Sequence, residues 1–266
     1  MKKRLLISDM DHTLLDDRPG VSKENLAAIA RHVENGGLFT VATGRAPAAI
    51  RVFSELLPYI NLPCVTGNGG YVIDVKNDHI YYRSTLPEGI EFILYDLLDR
   101  FPLVGAVAYY GLEGFDSFRE NAHVADLIRR EGRPARPCPP EESPKPWNKI
   151  LLTMEHAYLE EIDVYLKPRL KGVARTVFSE ESFLEILPLG ATKGSALKFI
   201  LDMAGIDPQE VVAVGDAPND LEMIQLAGIG AAVSNASPDV KAAADVVVCS
   251  NNEHAVKACL ERFFES

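Results

Sequence analysis

Apolar residues along this chain follow two rhythms. Short continuous runs recur: Leu5-Leu6-Ile7, "LFTVA" from Leu38, "VVAV" from Val211 and "GAAV" from Gly230. Runs of this length mark strands buried on both faces of a parallel sheet. Between them, apolar positions repeat at helical spacing. Leu26, Ile29 and Val33 share one face of a predicted helix that Ser22 caps and Gly36 and Gly37 end. The first strand is read over residues 3–8. A helical stretch runs from the "TGR" of residues 43–45 through Leu57, and "YVID" and "IYYRS" flank residues 76–79 as a hairpin.

From about residue 85 to 182 the texture changes. Two amphipathic helices come early, followed by a proline-dense loop over 133–146. A strand (147–154), a helix (157–170) and a pair of strands (173–178 and 183–187) complete the block. Beyond Pro188 helix and strand alternate again, ending in a helix that reaches Phe264. Alternation of this kind means a parallel sheet with helices on both faces. The expected architecture is therefore an α/β, Rossmann-like core over 1–84 and 187–266, with an inserted α+β domain over 85–186.

In open parallel sheets ligands bind beyond the carboxyl ends of the strands. The first strand ends in Asp9-Met10-Asp11-His12-Thr13 and the second in Thr43-Gly44-Arg45. "PCVTGNGG" delivers Asn68, and "VVAVGDAPND" delivers Asp216, Asn219 and Asp220. Along a strand, Asp9 and Asp11 would point to the same side. Two carboxylates that close repel, and one pKa rises unless a cation or hydrogen bonds intervene. Lys193 opens a helix, where the macrodipole disfavours a cation by about 0.3–1 kcal/mol and a bound anion would reverse that sign. Each residue alone has an ordinary reading. Asp11 and Thr43 could be caps, Gly44 and Asn68 turn residues, Arg45 a surface charge, Lys193 a solvated lysine and "GDAPND" a plain turn. Their gathering at one sheet edge favours a functional site.

Composition narrows the classes. The 266 residues are 47% hydrophobic and 24% charged, enough for a sizeable core. A net charge of −11 argues against general nucleic-acid binding, although a metal can invert the local sign for an anionic substrate. Cys64, Cys138, Cys249 and Cys259 form no C-x-x-C pair, which fits reduced thiols in the cytoplasm. "MKKRLLI" breaks at Ser8 and Asp9, too early for a signal segment, and no apolar run is long enough to span a membrane. "GATKGS" has the wrong spacing for a P-loop, and "GIGAAV" lacks a third glycine for dinucleotide binding. The six histidines are dispersed.

D-x-D-x-T at 9–13, "TGR" at 43–45, "TKG" around Lys193 and "GDAPND" at 215–220 together resemble the haloacid dehalogenase superfamily. Their order and spacing are similar to its Cof-type (subfamily IIB) sugar-phosphate phosphatases, which carry a C2B cap between the second and third motifs. Over the inserted block the resemblance is one of size and element pattern. It implies that Asp9 attacks phosphorus, that Asp11 moves the proton, and that Thr43 and Lys193 hold phosphoryl oxygens. Gly44, Arg45, Asn68 and Asn219 would bind substrate. Mg²⁺ would lie on Asp9, the main-chain carbonyl of Asp11 and Asp216, with Asp220 as a supporting or alternative ligand. His12 departs from the pattern, since the family usually has glycine there. The implied activity is a Mg²⁺-dependent phosphatase of small phosphorylated metabolites, such as sugar phosphates, in a cytoplasmic monomer or weak dimer. A phosphomutase using the same nucleophile is the alternative. Signalling receivers share the chemistry but are about half this length and lack the inserted block.

Overall fold

The computed structural model describes residues 4–18 and 20–264. In chain order the elements begin with β1 (Leu5–Ser8), α1 (Lys23–Glu34), β2 (Leu38–Val41), α2 (Pro47–Ile50), β3 (Cys64–Thr66), β4 (Tyr71–Asp74) and β5 (His79–Arg83). Next come α3 (Ile90–Arg100), β6 (Gly105–Tyr110), β7 (Gly114–Arg119), α4 (Ala122–Glu131), β8 (Arg136–Pro137), β9 (Trp147–Thr153), α5 (His156–Leu170), β10 (Ala174–Glu180) and β11 (Phe183–Pro188). The chain closes with α6 (Lys193–Ala204), β12 (Val211–Gly215), α7 (Leu221–Leu226), β13 (Ile229–Ala232), α8 (Pro238–Ala243), β14 (Val246–Val247) and α9 (Ala255–Phe263). Two compact units result. One is built from Met1–Arg45, Ile50–Arg83 and Thr192–Ser266, the other from Ala46–Ala49 and Ser84–Ala191.

The first unit holds a five-stranded sheet in the order β14-β13-β12-β1-β2, parallel throughout. This is the α/β fold that the alternation predicts. Ser8 of β1 stands opposite Val41 of β2 and Val214 of β12, so the three strands end level. The chain leaves β1 toward β2 on one side and later returns to β12 on the other. Such a change of direction opens a crevice at the strand ends. Leu5 and Ile7 project to one face, where they share a core with Ala196, Leu197, Ile200 and Leu201 of α6 and with Val211 and Ala213 of β12. Capping follows the sequence signals. The Ser22 side chain accepts from Asn25 N–H at the start of α1, and Thr192 and Ser195 form a reciprocal capping box on α6.

Two readings change between Arg45 and β4. The helical stretch through Leu57 contracts to α2 and a short turn at Leu57–Tyr59. Ile50, Phe53 and Leu56 keep helical spacing and are buried, but Phe53 and Leu56 donate three residues back, so the segment runs as successive tight turns. β3 joins no parallel sheet as a full strand. It pairs antiparallel with β4 in a three-stranded sheet with β5 and touches the main sheet through a single Ala42–Val65 bridge. Lys3, read as the start of the first strand, lies outside the described residues.

The second unit carries a six-stranded sheet in the order β10-β11-β9-β6-β7-β8, antiparallel except for the β7–β8 pair. One face, with Ala106, Ala108, Ile150, Leu152, Leu184 and Ile186, packs under α3 and α5. The opposite face, with Val107, Tyr109, Leu151 and Phe183, meets Val124 and Leu127 of α4. β6 and β7 escape the sequence reading. Asp116 and Ser117 are buried within β7 and break the alternation by which a strand is recognised. Among the described residues no helix is long and apolar enough to cross a membrane.

Candidate active site

β1 ends at Ser8, and the chain then turns, so the strand alternation that would align Asp9 with Asp11 is not kept. Asp9 N–H donates to Val214 O (2.9 Å), which anchors it to β12. Its carboxylate is buried and accepts from Lys193 Nζ at 2.6 Å. Beyond it the loop closes through Leu15 N–H to Met10 O (2.8 Å). That closure requires His12 to adopt φ 59°, ψ 8°, the left-handed region that favours glycine. The His12 side chain is exposed, and Asn235 Nδ2 donates to its carbonyl at 2.8 Å. Thr13, fully buried, donates its hydroxyl to Asp216 Oδ1 (3.1 Å) and so ties the first loop to the end of β12.

Lys193, at the first turn of α6, is 1% exposed and bridges two carboxylates, Asp9 Oδ1 and Asp220 Oδ1, each at 2.6 Å. The buried ion pairs answer the dipole objection, because the anions it faces belong to the protein itself. The second oxygen of Asp220 accepts from Asp216 N–H (3.0 Å) and Ala217 N–H (3.1 Å). Asp220 thus braces the loop after β12 through one oxygen and holds Lys193 through the other. This close approach needs glycine at 215, where a Cβ would lie 2.5 Å from Asp220 Cγ. Burial raises the Asp9 pKa well above the usual carboxylate range. Lys193 opposes the shift, while Asp220, Asp216 and Asp11 add to it. Asp216 is pushed up to about 7, by burial first and then by Asp220. For Lys193, burial alone would lower the pKa, but Asp220 and Asp9 drive it upward.

Thr43 is fully buried beyond β2. Its hydroxyl accepts from Arg45 N–H (3.1 Å) and its carbonyl from Asn68 N–H (3.0 Å). Asn68 is also fully buried, in a left-handed conformation (φ 54°, ψ 37°), and accepts from Asn219 Nδ2 at 2.9 Å. A Cβ at Gly44 would stand 3.1 Å from the Asn68 amide, so glycine makes room for it. Asn219 Oδ1 is buried without a hydrogen-bond partner. Arg45 reaches Asp11 rather than standing as an isolated surface charge: Nε to Oδ2 is 2.9 Å and Nη2 to Oδ1 is 2.7 Å. The strand ends therefore assemble Asp9, Lys193, Asp216 and Asp220 as one cluster, Asp11 with Arg45 as a second, and Thr43, Asn68 and Asn219 as a third. Asn235 and Phe53, which brace these groups, carry no signal in the sequence.

Carboxylate oxygens of Asp9, Asp216 and Asp220 all lie within 4.8 Å of one another. An all-oxygen acidic set suits a hard divalent cation. The upward pKa shifts of Asp9 and Asp216 express the same crowding of negative charge, which a cation would relieve.

A parallel sheet with this buried acid–lysine cluster at its switch point defines an α/β enzyme of phosphoryl chemistry. The model of the haloacid dehalogenase-like hydrolases matches residues 6–260. A Haemophilus influenzae protein named as a candidate phosphatase is 30% identical over 265 residues, 99% of each chain. The 5-amino-6-(5-phospho-D-ribitylamino)uracil phosphatase of Bacillus subtilis is 30% identical over 276 residues, 93% of each. The crystal structure of a haloacid dehalogenase-like hydrolase from Bacteroides thetaiotaomicron superposes with a TM-score of 0.86 at 28% identity, over 99% of this chain and 100% of that one. The chain belongs to the haloacid dehalogenase-like hydrolases, as its four motifs imply. Within that family it is a phosphatase.

Proposed function

We propose that the protein hydrolyses small phosphorylated metabolites, sugar phosphates first among them, through a phosphoenzyme on Asp9 with Mg²⁺ as its cation. One observation carries this reading: a buried carboxylate at the end of the central strand, 2.6 Å from a buried lysine, with the acidic side chains of Asp216 and Asp220 beside it. The Bacillus subtilis relative, a phosphatase of a phosphorylated small molecule, supports the substrate class.

In this mechanism an Asp9 oxygen attacks phosphorus and the bond to the leaving oxygen breaks as Asp11 supplies its proton. Asp11, now a carboxylate, takes a proton from water, which attacks the aspartyl-phosphate and restores Asp9. Exposure divides the roles. The Asp9 side chain is 7% exposed and braced by Lys193, whereas that of Asp11 is 26% exposed, as suits a group that exchanges protons with water. Lys193 and Thr43 hold phosphoryl oxygens. Gly44, Asn68 and Asn219 line the substrate, and the unpartnered Asn219 Oδ1 offers an acceptor to a substrate hydroxyl. Mg²⁺ held by Asp9, the Asp11 carbonyl and Asp216, with Asp220 in support, would supply positive charge against the phosphoryl oxygens. Four thiols free of disulfides accord with a cytoplasmic setting.

A screen of the purified protein for phosphate release from a panel of phosphorylated metabolites, with and without Mg²⁺, tests this. Sugar phosphates should give the highest turnover. Release from no member of the panel would remove the proposal, and an isomeric sugar phosphate formed in place of free phosphate would make the protein a mutase.

A further inference from the structure

The geometry points to Arg45 as the positioning residue of Asp11 rather than a ligand of the substrate phosphate, an inference that rests on reading Asp11 as the acid–base group. The guanidinium meets the carboxylate at two points, Nε to Oδ2 (2.9 Å) and Nη2 to Oδ1 (2.7 Å). A paired fork of this kind fixes the carboxylate plane as well as its distance, which a single charge contact does not do. The Phe53 ring, itself buried, lies 5.3 Å from the guanidinium carbon.

The arginine is in turn held by its backbone. Arg45 N–H donates to Thr43 Oγ1 (3.1 Å), and its carbonyl accepts from Gly67 N–H (2.9 Å). The loops after β1, β2 and β3 thus converge on one residue, the first at its side chain and the third at its main chain. Asp11 needs such a brace more than Asp9 does. Asp9 is buried against Lys193, but Asp11 sits on a turn beyond β1, next to the left-handed His12, with its side chain partly in solvent. Proton transfer demands hydrogen-bond reach to the leaving oxygen, and a carboxylate unbraced at this position would sample other rotamers.

The expected consequence is specific to the leaving group. When the leaving oxygen is a good one, protonation matters little. When it is poor, misplacement of the acid costs the full benefit. The test is a series of aryl and alkyl phosphates of graded leaving-group pKa, measured with the parent, Arg45→Gln, Arg45→Lys, Asp11→Asn and the Arg45→Gln/Asp11→Asn double variant. Circular dichroism confirms that each is folded. For Arg45→Gln we expect kcat/KM, which reports the steps through departure of the leaving group, to fall about tenfold or more on an alkyl phosphate but less than about threefold on para-nitrophenyl phosphate. The dependence on leaving-group pKa should steepen toward that of Asp11→Asn. Arg45→Lys, which keeps the charge but not the fork, should remain steep. The double variant should be no slower than Asp11→Asn alone. A uniform loss across the series with raised KM, multiplying in the double variant, would instead make Arg45 a phosphate ligand. A parental dependence restored by lysine would equally overturn the fork as the device. If Asp11→Asn itself leaves the dependence unchanged, the acid role of Asp11 fails and the proposal fails with it. That outcome is read from Asp11→Asn alone and so stays distinct from failure at Arg45.

Discussion

Asp9 and Asp11 lie two positions apart in the sequence, yet one faces a buried ammonium and the other a partly buried guanidinium. Their different surroundings predict different failures. Asp9→Asn should form no phosphoenzyme and fall to background turnover. Asp11→Asn keeps the nucleophile and should lose roughly 10²–10⁴-fold on substrates with poor leaving groups. Rapid-quench mass spectrometry with an aryl phosphate should find the adduct on Asp9 in Asp11→Asn. An adduct on Asp11 in Asp9→Asn would reverse the roles. His12 sets a second test. An L-residue in the left-handed region costs about 1–2 kcal/mol, and glycine's extra chain entropy costs about 0.5–1 kcal/mol. These nearly offset, so His12→Gly should stay within about 1 kcal/mol of the parent in urea unfolding and remain active. His12→Val should lose a further ~1 kcal/mol or more. That the position departs from glycine is legible in the sequence. That its imidazole is exposed and its backbone strained is not.

At the scale of elements, the second unit holds a polar device that its sequence hides. Asp116 of β7 is buried and accepts from Arg136 through Nε (3.1 Å) and Nη2 (2.7 Å), from Tyr110 OH (3.1 Å) and from Cys138 Sγ (3.4 Å). The proline-dense loop is thereby tied to the sheet. Burial alone would raise the Asp116 pKa, but the hydrogen bonds from Arg136, Ser143, Cys138 and Tyr110 hold it below its ordinary value of 3.8. A carboxylate with a depressed folded pKa contributes stability above its unfolded value and loses it as pH falls through the folded one. Asp116→Asn should therefore be less stable than the parent at neutral pH. The gap measured by urea unfolding should close below the ordinary carboxylate value. A gap independent of pH would show that packing, and not the charge, carries the effect. The core strands were readable because their runs are wholly apolar. β7 was not, because its Asp116 and Ser117 become acceptable inside a strand only once loop residues arrive to satisfy them.

For the whole molecule, three carboxylates within 4.8 Å set the largest expectation. Excess chelator should abolish phosphate release and Mg²⁺ should restore it. Ca²⁺ should serve poorly, because its longer and more numerous contacts spoil a tight octahedral site. Because the ion would relieve repulsion in the folded state alone, millimolar Mg²⁺ should also raise the thermal midpoint in scanning calorimetry. Full turnover in chelator would end the metal reading. The sequence by itself determined the α/β class, the strands of the central sheet and which residues stand at their carboxyl ends. Those are local properties: apolar runs, caps and glycines read within a dozen residues, joined by the rule that parallel sheets bind at their strand ends. Only the tertiary structure decided the partnerships. Lys193 and Asp9 are 184 residues apart, and Arg45 and Asp11 are 34. Nothing in spacing or periodicity says that the ammonium joins Asp9 to Asp220, or that the arginine is spent on Asp11 over Phe53. Those choices depend on how distant loops arrive at one crevice and on which buried charges must find a counter-charge there, and that is settled only when the whole chain has packed.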